Sequence, residues 1–275
     1  MKRVATIIIN RNLPEVTNKL YEHIYKYDGD ITDIYTLEAG SDSNSLSKNF
    51  TWHADWPDAI QNGLRYPRGV NYSLCKLREE KIFDNYDAFF IVTNDTELPK
   101  TNSIQKLINI FDNHPRLGIL SPCGNNWGEK YLLNGKEKTL YFWFIHNHAY
   151  FLRKDFILDV CKSEPESYLD FLLDGNNFRW YGTECELIAK GFINDWAAGI
   201  TSDVCHTQNN SHILNKSDLI KTDPYHESLK NAEKEGRIWM FKKYGFKSKW
   251  DMHKYVKCFY DKFFDYYPEY LKYKV

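Results

Sequence analysis

Strand-like and helix-like segments alternate along the first 120 residues, and this alternation constrains the fold more than any other feature. Short apolar runs predict strands, and apolar residues at spacings of three and four predict helices between them. The predicted strands are 4–9, 31–37, 88–92 and 117–121, and the predicted helices are 14–27, 70–82 and 104–111. Because parallel strands need helical crossovers, this order predicts a mostly parallel, Rossmann-like α/β sheet flanked by helices.

The second half carries a different pattern. Asn134 followed by Gly135 is a common two-residue turn, and it predicts a hairpin between residues 131–133 and 139–144. Further predictions are a strand at 149–153 and helical segments at 156–161, 167–173 and 183–191, the last ending at Gly191. Because no linker-like composition interrupts residues 1–215, we expect one domain there and a helical C-terminal extension over 216–275.

The extension becomes basic and aromatic from Arg237 to the end, with ten lysines and arginines and four acidic residues. Two interpretations stay open. Basic amphipathic helices with exposed rings can lie on an anionic membrane surface or bind a partner. Alternatively, a helical pair packs its rings on the domain and leaves its lysines in water.

Charge and cysteine content exclude several classes of protein. A formal net charge of -1 and a pI near 6.8 give no reason to expect nucleic acid as a partner. The six cysteines lie far apart without a CxxC pair, which favours free thiols in a reducing compartment. The N-terminal apolar run is too short for a signal peptide, and no stretch reaches the about 18 apolar residues of a membrane span. We therefore expect a soluble cytoplasmic protein, with the extension as its one candidate contact with a membrane surface.

Polar side chains follow three of the predicted strands. The first strand leads into Asn10 and Arg11, the second ends at Glu38, and the third leads into Asn94 and Asp95. Ligands of open α/β sheets collect at the carboxyl ends of strands, so these residues indicate a binding site. A carboxylate such as Asp95 suits Mg²⁺ or Mn²⁺ bound together with phosphates. Taken alone, an acid at a strand end is equally typical of an ordinary polar turn.

Six segments in order resemble the family-2 glycosyltransferases of the GT-A fold, especially rhamnosyltransferase-like members. These segments are TIIINRN, IYTLEAGSDSNS, RGVNYSL, YDAFFIVTNDTELP, WYGTECELIAKGF and SDVCHTQ. The resemblance covers about residues 3–208. It implies a GT-A domain, a nucleotide-sugar donor, a glycan acceptor on a lipid carrier or a protein, and a Mn²⁺ or Mg²⁺ cofactor.

The resemblance also implies a role for individual residues. Glu38 matches the acid that holds the uracil or ribose, and Asn71 matches an asparagine near the nucleotide. Asp95 matches the last acid of the DxD metal motif, His206 a histidine at the metal or diphosphate, and Glu184 the catalytic base. Together with the polar strand ends, the expected donor-binding residues are Asn10, Arg11, Glu38, Asn71, Asn94 and Asp95.

Inverting glycosyl transfer needs a base for the acceptor hydroxyl and positive charge at the departing diphosphate. Glu184 and Glu186 lie two apart on a predicted helix and point in different directions, so only one can serve as the base. We favour Glu184 at the helix start, where a glutamate would otherwise simply suit the helix dipole. Rings and histidines near the base form the expected acceptor site: Trp143, His146, His148, Trp180 and Tyr181. Each of these five is equally compatible with a structural role.

Two departures from the family pattern support a rival function. Thr93 stands where the DxD motif has its first acid, and Thr183 stands where the family has the glutamate of its Glu-Asp pair. The rival is a non-catalytic relative that binds a nucleotide sugar or glycan and scaffolds glycan assembly. A nucleotidyltransferase would need a glycine-rich basic loop after the first strand, which NRNLPEV does not supply.

Overall fold

The structure is a computed structural model that describes residues 3–135, 137–162, 167–209, 211, 214, 217–218 and 220–275. Within these residues the strands form one mixed nine-stranded sheet with the order β3-β2-β1-β4-β8-β6-β9-β5, and β7 also pairs with β9. The strands are β1 Val4–Asn10, β2 Thr32–Glu38, β3 Trp52–His53, β4 Ala88–Thr93, β5 Thr96–Glu97, β6 Leu117–Gly124, β7 Thr139–Tyr141, β8 Ala149–Arg153 and β9 Ala197–Gln208.

Helices flank this sheet. They are α1 Pro14–Asp28, α2 Pro57–Asn62, α3 Arg65–Glu79, α4 Ser103–Asn113, α5 Lys154–Val160, α6 Thr183–Ile193, α7 Tyr225–Tyr244 and α8 Lys249–Tyr266, with short 3₁₀ turns at Phe83–Asn85, Gly128–Tyr131 and Pro268–Tyr273. The strands and helices predicted in the first half are confirmed, with ends that shift by a few residues. Helix α6 continues through Gly191 because the chain turns only at Asn194, whose N–H bonds to the carbonyls of Lys190 and Gly191.

The parallel half of the sheet brings three strand ends to one edge. Strand β1 lies between β2 and β4 and is parallel to both, with Asn10 opposite Glu38 and Ile9 opposite Thr93. Strands β1 and β4 are mostly apolar and buried, whereas the outer strand β2 mixes apolar and polar residues and is partly exposed in its first half. Strand β8 runs antiparallel between β4 and β6, so the sheet is mixed.

Two predictions in the second half are wrong. Residues Gly128–Tyr131 form a 3₁₀ turn, and β7 pairs antiparallel with β9 instead of forming a hairpin with 131–133. The helix predicted over 167–173 is absent, because those residues form turns that hydrogen-bond to the side chain of Asn71. Both errors have one cause: long-range partners override a local pattern.

The C-terminal helices pack on the domain. Met252, Val256 and Phe263 of α8 are buried in the common core, and α8 packs against α6. The hydroxyl of Tyr260 donates to the carbonyl of Tyr141 at 3.2 Å, joining α8 to β7. No helix among the described residues is both long and apolar enough to span a bilayer. Several rings of the extension, among them Tyr260, Phe263 and Phe264, therefore belong to the core, whereas Phe241, Trp250 and Tyr266 are exposed. The domain boundary at residue 215 stays a prediction.

Candidate active site

A cavity of about 260 Å³ opens at the carboxyl ends of β1 and β4. Six residues predicted from the sequence line this cavity: Asn10, Arg11, Asn94, Asp95, His148 and Trp180. Arg65 also lines it and was not predicted. The short turn between β4 and β5 places Asn94 and Asp95 at this edge. The parallel register of β1 and β4 thus gathers residues that lie far apart in the sequence.

Strand β5 pairs with the end of β9, with Thr96 opposite Gln208, and the charge of Asp95 acts on the imidazole of His206. The amide of Gln208 donates to Asp95 Oδ2 at 3.0 Å, while Asp95 Oδ1 is buried and has no hydrogen-bond partner. Neither ring nitrogen of the buried His206 makes a hydrogen bond of normal geometry, although the backbone of Pro122 lies near enough to raise the pKa of the ring. Unpaired buried polar atoms are costly, so this pair is suited to a ligand that supplies the missing contacts.

The ligand types at this pair fit a divalent metal only in part. Burial lowers the pKa of His206 to about 4, so its imidazole is neutral near pH 7, the form that coordinates metals. Among the described residues, no three His, Cys, Asp or Glu side chains are close enough to enclose a metal. A nucleotide-bound Mg²⁺ or Mn²⁺ needs only one or two protein ligands, since phosphates and water supply the rest. Asp95 and His206 therefore fit a metal held jointly with a diphosphate.

Glu38 is fully enclosed in a hydrogen-bond network. Its Oε1 accepts from the N–H and hydroxyl of Ser47 at 2.8 and 2.6 Å, and its Oε2 accepts from Asn10 Nδ2 at 2.7 Å and from Ser41. Asn10 Oδ1 in turn accepts from Asn94 Nδ2 at 2.8 Å. The network joins the three strand ends and orders the loop at 39–47. The predicted nucleoside contact of Glu38 stays a prediction, and this enclosed position lends it no direct support.

Asn71 lies in α3, where its side chain holds residues 168–173. Its Nδ2 donates to the carbonyls of Tyr168 and Leu173 at 3.1 and 2.7 Å, and its Oδ1 accepts from the N–H groups of Leu172 and Leu173. The residue is fully buried. Its amide thus meets four backbone groups, and its position lends no support to the predicted contact with a nucleotide.

Glu184 sits in the first turn of α6, which begins after Gly182 in the left-handed conformation (φ 87°). Lys249 Nζ donates to Glu184 Oε1 at 2.7 Å, while Glu184 Oε2 is buried without a partner. Burial lowers the pKa of Lys249, but the charge and hydrogen bond of Glu184, together with smaller contributions from Cys185 and Tyr181, raise it by more, so the ammonium stays charged. Glu184 does not line the cavity directly, but its charge acts on Tyr66 and His148, which do.

The five predicted acceptor residues fall into two groups. Trp180 and His148 line the cavity, and Tyr181 lies beside the base, with Lys249 Nζ 4.7 Å from its ring centroid. Helix α7 reaches Tyr181 because Gly236 has no side chain; a Cβ there would lie 2.6 Å from the Tyr181 carbonyl oxygen.

The other two predicted acceptor residues lie further out. Trp143 packs edge-on against His253 of α8, with ring centroids 5.5 Å apart. The rings of His146 and Trp127 are in contact, with centroids 3.8 Å apart. Burial lowers the pKa of His146 to about 3. Trp127, which was not predicted, is partly exposed and also stacks on His148 of the cavity, with ring centroids 5.7 Å apart.

Comparisons with known proteins give the fold. No family model matches the chain, and no curated protein matches its sequence. The mannosyltransferase PcManGT from Pyrobaculum calidifontis, solved with GDP-Man and Mn²⁺, superposes with a TM-score of 0.51 at 10% identity, over 94% of this chain and 73% of its own. Residues 1–349 of S. aureus TarS, solved with UDP-GlcNAc, superpose with a TM-score of 0.54 at 11% identity, over 96% of this chain and 73% of that one. This chain has the GT-A fold.

A third GT-A structure is similar to the same extent. Glucosyl-3-phosphoglycerate synthase from Mycobacterium tuberculosis, solved with Mn²⁺, UDP-glucose and phosphoglyceric acid, has a TM-score of 0.52 at 10% identity, over 87% of this chain and 79% of that one. The predicted fold class, a mixed and mostly parallel GT-A sheet flanked by helices, is confirmed. The rhamnosyltransferase-like part of the resemblance stays a prediction.

Proposed function

We propose that this protein is an inverting glycosyltransferase that moves a hexose or deoxyhexose from a nucleotide-sugar donor to a hydroxyl of a glycan acceptor. The observation that carries the proposal is the pair Asp95 and His206. Their unpartnered, buried ligand atoms lie at the carboxyl edge of a GT-A sheet, beside a cavity. The donors named with the similar structures, GDP-Man, UDP-GlcNAc and UDP-glucose, support a nucleotide sugar as the ligand.

The cavity would hold the donor. Asp95 and His206 would bind Mn²⁺ or Mg²⁺, which supplies positive charge to the diphosphate when bound. Asn10 and Asn94 fix the strand ends next to it through their mutual hydrogen bond. Glu38 acts here as a positioning residue, because its bonds to Ser41 and Ser47 shape the loop beside the nucleoside.

Glu184 would act as the base. Lys249 fixes Oε1, and this leaves Oε2 to accept the proton of the acceptor hydroxyl as that oxygen attacks the anomeric carbon. Trp180 and Tyr181 directly precede α6, with Trp180 at the cavity and Tyr181 beside Lys249, and they offer flat apolar faces on which sugars stack. We infer that the acceptor approaches over these rings.

The tip of the C-terminal helical pair would contact a membrane. Phe241 and Trp250 flank the turn between α7 and α8 and are 59% and 60% exposed. Lys242, Lys247 and Lys254 surround them on the same short stretch and are exposed. Exposed rings among lysines match an anionic lipid surface, which favours a lipid-linked acceptor over a soluble one.

The rival is a non-catalytic sugar-binding or nucleotide-binding relative, favoured by Thr93 in place of an acid and by the ion pair on Glu184. Glu184→Gln separates the two, because it keeps size and shape but removes the base. An enzyme should lose turnover by about 10²–10⁴-fold and keep its donor affinity. Glu97→Gln, an exposed acid near the same edge, is the control and should leave turnover unchanged. Unchanged turnover in Glu184→Gln would remove Glu184 from the mechanism, and absence of any wild-type turnover would favour the rival.

A further inference from the structure

Two guanidinium groups line the same cavity as Asp95. They belong to Arg11, which follows β1, and Arg65, which begins α3. Among the residues that the structure describes, neither makes an ion pair with a carboxylate. The nearby acids are already paired, Asp42 with Lys221 and Asp223 with Arg179.

Arg65 is held in an unusual position. Its backbone is in the left-handed region (φ 57°), which is rare for a side chain of this size. Its Nη1 donates to the hydroxyl of Thr222 at 2.8 Å, its Cζ lies 5.6 Å from the ring centroid of Phe178, and its Nε is buried without a partner. Strain of this kind persists only where the surrounding structure enforces it, and it clusters at functional sites.

Arg11 has neutral partners only. Its Nη2 donates to the carbonyls of Ile60 and Gln61 at 3.0 and 3.1 Å, and its Nε lies 3.4 Å from the carbonyl of Gly40. These bonds fix the direction of the guanidinium plane but do not neutralise its charge. Arg11 thus lines the cavity with its positive charge offset only in part, by the nearby Asp42, which is itself paired with Lys221.

Two like charges at a shared cavity oppose each other. Burial, helped by the charges of Arg179 and Arg11, lowers the pKa of Arg65 to about 10. Burial also lowers the pKa of Arg11. The acids near them, Asp42 for Arg11 and Asp223 and Glu235 for Arg65, offset this burial only in part. An anion in the cavity would therefore stabilise both cations. A diphosphate carries the required charge and the oxygens that a guanidinium binds in pairs.

We propose that Arg65, together with Arg11, binds the diphosphate of the donor directly. Their positive charge would compensate for a metal site that has Thr93 in place of one of its acids. This inference rests on the proposed function. As the acceptor oxygen bonds to the anomeric carbon and gives its proton to Glu184, the bond to the diphosphate breaks and its electron pair passes to the diphosphate oxygen. Arg65 and Arg11 stabilise that charge. Diphosphate binding therefore has a part that survives without metal.

A structural role for Arg65 is the competing explanation. Both arginines also hold the segment at 221–222, Arg65 through the Thr222 hydroxyl and Arg11 through the Lys221 carbonyl. Thr222→Val removes the protein partner of Arg65 and keeps the guanidinium, so it reproduces a loss of anchoring alone. Arg237→Met removes an exposed arginine that pairs with Glu233 on α7, and it controls for a change of net charge.

The test is calorimetric titration of the full chain with UDP, GDP, the matching nucleosides and inorganic pyrophosphate, each in EDTA and in Mn²⁺. The wild type should bind UDP or GDP in EDTA. Arg65→Met should weaken diphosphate and pyrophosphate binding by about 10–100-fold in both conditions, as expected for charge-assisted hydrogen bonds. Its nucleoside affinity should stay within about twofold, since the nucleoside lacks phosphate. Arg65→Lys should retain part of the diphosphate affinity because it keeps the charge.

Several outcomes would overturn the proposal. Equal losses in Thr222→Val and Arg65→Met would assign Arg65 to anchoring. Unchanged diphosphate affinity in a folded Arg65→Met would show that Arg65 does not bind the diphosphate. Wild-type binding that occurs only with Mn²⁺ would assign diphosphate binding to the metal. If the wild type binds no nucleotide or nucleotide sugar in either condition, the proposed function fails as well. If the wild type binds a nucleotide and the Arg65 variants bind it equally well, this inference fails but the glycosyltransferase proposal stands.

Discussion

Lys249 and Glu184 form a partly buried ion pair at 2.7 Å although 65 residues separate them in the sequence. Lys249 is in the first turn of α8, so the C-terminal helical pair contributes directly to the surroundings of the candidate base. A second ion-pair cluster also connects the C-terminal helices to the domain, because Lys243 Nζ of α7 lies 2.6 Å from a carboxylate oxygen of Asp174 and of Glu186. The C-terminal helices are therefore part of the site's framework.

Replacing Lys249 with methionine should affect both stability and the pH dependence of turnover. Loss of the cation leaves the Glu184 carboxylate buried and unpaired, at a cost of about 3 kcal/mol in the free energy of unfolding. A carboxylate without its cation also holds a proton more tightly, so the acid limb of the kcat profile should move to higher pH. Urea unfolding and a pH–rate profile measure the two effects.

Lys257→Met is the matched control, because Lys257 lies on the same helix in an exposed pair with Asp261. It should cost less than about 1 kcal/mol and leave the profile unchanged. Lys249→Arg should restore the wild-type profile. A Lys249→Met protein that loses stability but keeps the wild-type pH profile would restrict Lys249 to a structural role.

Asn71→Ala should destabilise the fold without changing donor affinity. The substitution leaves four buried backbone groups of 168–173 without partners, at about 1–3 kcal/mol for the first and less as water enters. Urea unfolding and nucleotide titration test this, with the exposed Asn113→Ala as the control. Loss of nucleotide affinity at unchanged stability would instead place Asn71 at the nucleotide.

The parts of the fold that could be predicted are those whose structure depends on their own residues and not on distant contacts. The strands β1, β2 and β4, and Asp95 after β4, carry their signal in their own residues, and the parallel pairing follows from the helices between them. The misassigned hairpin at 131–144 had a genuine turn signal, but β7 pairs with β9, whose polar residues Ser202 and Asp203 obscured a strand.

The site was harder to predict where its residues depend on tertiary contacts. Glu184 was identified from its resemblance to a known motif, but nothing local pointed to Lys249 as its partner. Arg65 was missed because its position at the cavity depends on the left-handed turn that begins α3. Asn71 shows the opposite case, since a polar residue at a plausible spacing serves a backbone segment about 100 residues away.

Acid should weaken the attachment of α7 through Asp174. Burial raises the pKa of Asp174, but its hydrogen bonds with Lys243, Trp239 and the backbone of Asn176, together with the charge of Lys243, lower it by more, to about 2. Because the folded pKa lies below the unfolded value near 3.8, this contribution is present above pH 4 and lost as pH falls toward 2. Asp174→Asn should lower the free energy of unfolding by about 2 kcal/mol at pH 6 and flatten its slope between pH 4 and 2. A slope equal to that of the wild type would contradict this assignment.

The tip of the helical pair should bind anionic vesicles. Flotation with phosphatidylglycerol-containing vesicles should recover the wild type, and recovery should fall with salt because lysines contribute. The Phe241→Ala, Trp250→Ala double variant should bind about tenfold more weakly, since two apolar rings no longer insert. Tyr266→Ala, an exposed ring at the other end of α8, is the control. Equal recovery on neutral vesicles, or no effect of the double variant, would contradict a membrane contact.

The central claim is that Asp95 anchors a metal-bound nucleotide sugar at the carboxyl edge of the sheet. The most direct measurement is equilibrium binding of a panel of UDP, GDP, dTDP and CMP sugars to the wild type and to Asp95→Ala, each with Mn²⁺ and with EDTA. We predict that one donor binds the wild type more tightly with Mn²⁺ than with EDTA, and that Asp95→Ala loses this difference. If no nucleotide sugar binds in either condition, Asp95 belongs to a polar turn after a strand, and the glycosyltransferase proposal is contradicted.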